Sequence, residues 1–108
     1  MKVMISGHHY ELSETTRDYI EAESAKLERF YAPILGCQVT ITKEGRMEKA
    51  DVVVSLHGQS LKSSDESDKL YPAIDGAMDK MIRQLKKVHD KRRKPRPGPA
   101  QTGLEPVE

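Results

Sequence analysis

Nine cations fall within seventeen residues near one end of the chain: Lys80, Arg83, Lys86, Lys87, Lys91, Arg92, Arg93, Lys94 and Arg96, against a single acid, Asp90. The other nine basic residues are outnumbered by sixteen acids, so an overall charge of +1 conceals a segment at +8 and a remainder at −7. Lysine and arginine in such a run serve one chemistry above others, the neutralisation of phosphate oxygens with release of condensed counterions. A molecule polarised this way offers a localised field to a polyanion while the rest of its surface repels phosphate. A merely solvated charge run is the plain alternative.

Spacing favours the first reading. At about 100° per residue, setting Lys80 at 0° puts Arg83 at about 300°, Lys87 at about 340°, Lys91 at about 20° and Lys94 at about 320°. The apolar residues Leu70, Ile74, Ala77, Met78, Met81, Ile82, Leu85 and Val88 recur at intervals of three and four over the same stretch and occupy the opposite side of the wheel. The cations then point to solvent while the helix is anchored from behind. Like charges on adjacent turns weaken an isolated helix by tenths of a kcal/mol per pair, a cost that phosphate contacts would offset. On an earlier predicted helix, Lys26 and Arg29 lie on one flank of the apolar stripe and would extend the basic surface where that flank meets the last helix.

Other chemistries find little footing. His8, His9, His57 and His89 have no metal-ligand spacing. There is no Gly-rich phosphate loop, nucleophile elbow or recognisable carboxylate pair, and no enzyme, cofactor or small-molecule substrate is expected. Phe30 and four tyrosines are the only aromatics, and Tyr19, Phe30, Tyr31 and Tyr71 fall on core or near-core positions. Few rings are then left to stack on unpaired bases, so a single-strand stacking platform is disfavoured, and recognition through backbone phosphates and the shape of folded RNA, as in double-stranded RNA readers, is expected.

The elements that must hold these cations follow from periodicity. Val3 and Ile5 oppose Met4 in a short strand over 2–6. Ser13 is the N-cap of a helix expected to run to about Tyr31, with Thr16, Tyr19, Ile20, Leu27, Phe30 and Tyr31 on one stripe, ended by Pro33 and Gly36. Val39 and Ile41 alternate with polar neighbours, and Ala50 to His57 places Val52, Val54 and Leu56 on one face, the pattern of a sheet covered on one side. Ser60 to Ser64, with Leu61 its one large apolar residue, predicts an edge strand. Ser63 to Asp68 reads as a polar loop before the last helix, with Pro72 in that helix's first turn. Gly76, inside the helix, predicts close packing against a neighbour. The expected architecture is α+β, β-α-β-β-β-α, a four-stranded sheet with two helices packed on one face and the first two strands parallel, resembling a double-stranded RNA-binding domain.

A chain of 108 residues and 12.2 kDa suits one core, placed at residues 1–94, with a Pro-rich disordered tail at 95–108. Cys37 is the only cysteine, which excludes an internal disulfide and reads as a small half-buried hydrophobe in a reducing compartment. The N-terminus turns polar too early for a signal peptide, and no apolar run approaches the ~20 residues of a membrane span. A monomeric cytoplasmic protein with no membrane contact is the expectation.

Specific stretches go further: Ile5-Ser6-Gly7, Leu12-Ser13-Glu14, Ala25-Lys26-Leu27-Glu28-Arg29-Phe30 and, above all, the run from Leu70-Tyr71-Pro72-Ala73-Ile74-Asp75-Gly76 to Gln84-Leu85-Lys86-Lys87. Over about residues 1–93 the sequence resembles the short-form ribosome hibernation promoting factor and ribosome-associated inhibitor family. The resemblance implies a domain lying in the small-subunit decoding channel, overlapping tRNA and mRNA sites, inhibiting translation and stabilising inactive ribosomes. It also implies a ribosome modulation factor as an accessory partner. Carried over by position, the rRNA-binding residues are Lys26, Arg29, Lys80, Arg83, Lys86, Lys87, Lys91, Arg92 and Arg93. Two departures accompany it. Glu23 stands where the family often has a basic residue, and the tail is too short for the dimerisation domain of long forms yet longer than the briefest short forms, which leaves promotion and prevention of ribosome pairing both open. The alternative to ribosome binding is a protein-interaction regulatory module whose basic helix is only solvated.

Overall fold

Alternation of apolar and polar residues builds a mixed four-stranded sheet in the computed structural model, which describes residues 1–93. The strands β1 (Lys2–His8), β2 (Gly36–Glu44), β3 (Met47–Leu56) and β4 (Gln59–Ser67) lie side by side in chain order. β1 pairs with β2 in parallel, setting Val3 beside Cys37 and Ile5 beside Val39. The connection between them carries α1 (Glu14–Ala25) and a 3-10 turn (Lys26–Arg29). β2 and β3 form an antiparallel hairpin through Gly45, whose φ of 63° suits glycine. β3 and β4 turn at Gly58, with φ 86°. α2 (Leu70–Arg93) closes the domain.

One face of the sheet is dry. Val39, Ile41, Val52 and Val54 are fully buried against Ile20 and Leu27 of the α1 segment and Ile74, Met78, Met81 and Leu85 of α2. Each such side chain contributes on the order of 1.5–3 kcal/mol relative to exposure. The other face carries Gln38, Lys62, Ser64 and Glu66 to solvent, with Met4 54% exposed. The α+β, one-sided, β-α-β-β-β-α arrangement expected from the sequence is therefore the observed one.

Two segments differ from the sequence reading. The first helix ends as an α-helix at Ala25 and tightens to 3-10 geometry over Lys26–Arg29, where one continuous helix to Tyr31 was expected. The stretch Ser63 to Ser67, expected as the end of an edge strand at Ser64 running into a loop, is the second half of β4. Its inward residues are polar, yet they are covered: Ser63 Oγ donates to the Ala77 carbonyl at 2.8 Å, and the Asp65 side chain occupies the space that a Cβ on Gly76 would need. Cys37 is fully buried rather than half-buried, beside Ser24 Oγ at 3.8 Å, and burial pushes its thiol pKa up. The expected tail at 95–108 lies outside the described residues.

Candidate nucleic-acid interface

α2 is clamped along both of its lower edges. On the β4 side, Lys80 Nζ donates to the Ser64 carbonyl at 3.1 Å and reaches Asp65 Oδ1 at 3.5 Å, and Gln84 Nε2 donates to the Lys62 carbonyl at 2.6 Å. On the α1 side, the Tyr19 hydroxyl donates to Asp75 Oδ1 and the Tyr19 and Tyr71 rings stack with centroids 4.5 Å apart. That hydrogen bond, helped by burial, holds the Tyr19 phenol well above its ordinary pKa. Farther along, Lys86 Nζ sits 5.3 Å from the centroid of the Phe30 ring, and His89 meets Tyr31 edge to face at 6.4 Å. With both edges fixed, the crest between them has a defined orientation.

Arg83 and Lys87 stand exposed on that crest, and among the described residues neither has a carboxylate within ion-pair distance. They are one turn apart on a helix whose opposite face is the core. Lys91, Arg92 and Arg93 continue the helical backbone to its last turn. Lys86 and Arg29 are exposed too, and the packing of the 3-10 turn on α2 brings them together around one cleft. Of the flank that carries Lys26 and Arg29, Arg29 thus lies beside the last helix, while Lys26 does not line this cleft.

Two sequence-predicted cations are engaged within the protein. Lys80 shares a polar seam with β4, with about half of its side chain exposed. Lys26 pairs with Glu23 at 2.9 Å, so the acid at position 23 partly neutralises the neighbouring cation. An exposed pair of this kind is worth under ~1 kcal/mol and yields readily to a phosphate. Sequence reasoning missed the role of Asp65, because a residue assigned to a loop offers no reason to face Gly76 and Lys80. It also missed the cleft at Phe30 and His89, formed by residues nearly sixty positions apart. Among the described residues no three His, Cys, Asp or Glu side chains gather as a metal site, and no helix is long and apolar enough to cross a membrane.

Fold and site together define a class: a small α+β domain with helices on one face of its sheet and a cationic crest on the last helix. Residues 3–93 match the family described as Sigma 54 modulation protein / S30EA ribosomal protein. The chain belongs to that family. It is 35% identical over 91 residues to the ribosome hibernation promoting factor of Klebsiella oxytoca and 34% identical to that of Escherichia coli K12, in each case over 84% of this chain and 96% of the relative. The N-terminal domain of Thermus thermophilus Protein Y superposes with a TM-score of 0.76 at 30% identity, covering 82% of this chain and 99% of that one. A ribosomal subunit interface protein from Coxiella burnetii gives 0.74 at 25% identity, over 84% and 100%.

Proposed function

We propose that this protein is a ribosome hibernation factor that binds small-subunit rRNA in the decoding channel through the crest of α2, covers tRNA and mRNA sites, and thereby inhibits translation and stabilises inactive ribosomes. The observation that carries this reading is the pair Arg83 and Lys87, exposed and free of carboxylates among the described residues, on a helix pinned at both edges. Pre-ordering matters because the entropy of fixing the helix has been met in folding, so phosphate contacts need only order the side-chain tips. Lys26, Arg29, Lys80, Lys86, Lys91, Arg92 and Arg93 complete the proposed contact set, with Lys26 and Lys80 exchanging their internal partners for phosphate. Occlusion calls for no catalytic group and no cofactor. The protein acts in the cytoplasm as a monomer, and ribosome pairing, with a modulation factor as accessory partner, falls within the same proposal. Family membership and the names of the relatives support the ribosome as partner.

Cosedimentation tests it. Purified protein added to ribosomes at moderate salt is expected in the ribosomal fractions, and dissociation should steepen with salt. Protein that stays at the top of the gradient at low and moderate salt refutes the proposal.

A further inference from the structure

Between the 3-10 turn and the C-terminal half of α2 lies a cleft of about 470 Å³, lined among others by Glu28, Arg29, Phe30, Lys86, His89 and Asp90. Its size falls in the range of sites that hold small ligands. Of its lining only Arg29 and Lys86 belong to the contact set proposed above, and phosphate contacts leave Glu28, Asp90 and the rings unexplained. It holds two cationic donors, Arg29 and Lys86, and two carboxylate acceptors, Glu28 and Asp90, whose formal charges cancel. A phosphate entering it would meet as much repulsion as attraction. The interior is aromatic: the Lys86 ammonium lies over the face of Phe30 at 5.3 Å, and His89 is braced edge-on by Tyr31. Lys86 is exposed and can swing aside, which would open the ring face to another flat group.

Balanced donors and acceptors around an aromatic surface suit a planar, uncharged heterocycle that carries hydrogen-bonding groups of both kinds on its edge. An unstacked nucleobase fits that description, since single-stranded bases are held by stacking on aromatic rings and by hydrogen bonds to their edges. Guanine matches best. Its O6 and N7 accept from arginine or lysine, while its N1–H and exocyclic amine are adjacent donors that one carboxylate can accept together. We infer that this cleft takes one unpaired base of the bound RNA, guanine by preference, so that the protein reads a base as well as gripping phosphates. The inference rests on the RNA-binding reading above and adds sequence discrimination to it.

The experiment is an amide NMR titration of the full chain with guanosine 5′-monophosphate, cytidine 5′-monophosphate, uridine 5′-monophosphate and inorganic phosphate separately. The guanine nucleotide is expected to shift amides of residues 28–30 and 86–90 at several-fold lower concentration than the pyrimidine nucleotides, with phosphate leaving them in place. Equal shifts with phosphate alone, or none with the guanine nucleotide at tens of millimolar, overturn the inference. The double substitution Glu28→Gln, Asp90→Asn affects exposed residues and should leave the fold intact. It makes the protein two charges more positive, so a pure field effect tightens its binding to ribosomes, whereas loss of base recognition weakens binding of both ribosome and guanine nucleotide, by about tenfold. Tighter or unchanged binding overturns the inference. Cosedimentation of the same samples separates the two claims. Cleft shifts without ribosome binding sink the proposed function and leave the cleft standing as a base site, while ribosome binding without cleft shifts sinks the base site alone.

Discussion

Replacing Arg83 and Lys87 together by glutamine removes two exposed cations without disturbing the core behind them. The expected loss follows from counterion release. If about six phosphates are neutralised by the intact protein, log K falls against log salt with a slope near −4 to −5, each contact supplying about 0.7–0.9 of it. Losing two contacts brings the slope toward zero by about 1.4–1.8. At 0.1 M salt each contact is worth about 1 kcal/mol on the same relation, so the double variant should bind about 25- to 60-fold more weakly. Stability should hold or rise by a few tenths of a kcal/mol, because two like charges one turn apart are removed. The assay is ribosome binding by fluorescence anisotropy between about 50 and 200 mM salt, the range over which such slopes are resolved, beside urea denaturation of each protein. A folded double variant with the parent's slope and affinity refutes the reasoning, since the crest would then carry none of the binding.

Other outcomes follow from the packing. Lys80→Met should cost under ~1 kcal/mol of stability and change the salt slope less than Arg83→Gln does, because Lys80 already spends contacts on Ser64 and Asp65. A larger slope change for Lys80→Met would show its ties to β4 to be nominal. Gly76→Ala should gain less than the ~1 kcal/mol of helix propensity, because its new methyl displaces Asp65. Adding Asp65→Ala should recover the shortfall, and strict additivity in a denaturation cycle would contradict the contact. Leu85→Ala, at a fully buried site, should cost about 2–5 kcal/mol and lower the thermal midpoint. A loss below the range of ordinary surface changes would misplace the core. The fold holds Cys37, Tyr10 and Tyr19 protonated beyond their ordinary values of 9.0, 10.0 and 10.0. Raised values contribute stability that is complete below the unfolded pKa and lost as pH climbs through the folded one, so unfolding midpoints should fall above about pH 9. Tyr19→Phe should lessen that fall, and an unaltered alkaline profile in this variant would argue against the Asp75 hydrogen bond.

The sequence made α2 readable because its apolar residues repeat over many turns and its cations keep to one arc. β2 and β3 were equally open, since period-two alternation of Val and Ile is sealed on one face. β4 was half hidden. Beyond Leu61 its inward positions are Ser63, Asp65 and Ser67, and hydrophobic periodicity cannot register a strand whose covered side is polar. What holds that strand is a set of tertiary contacts: Ser63 to the Ala77 carbonyl, Asp65 against Gly76, and Lys80 to the Ser64 carbonyl and Asp65. Gly76 alone announced a close neighbour, without saying which. The cationic set was legible as a list and not as geometry. Charge and phase placed Arg83 and Lys87 correctly on the outer side, but the internal engagement of Lys80 and Lys26 depends on neighbours that only folding supplies. The cleft escaped for the same reason, because Phe30 and His89 meet only when the 3-10 turn folds back on α2.

In the proposed complex the outward edge of α2 faces rRNA phosphates in the decoding channel. Cryo-electron microscopy of the protein added to empty ribosomes would show that edge and its neighbours. Density for the domain is expected between head and body of the small subunit, with Arg83 and Lys87 within hydrogen-bond reach of phosphate oxygens. Density with that edge turned to solvent, or with the domain seated elsewhere on the particle, would contradict it.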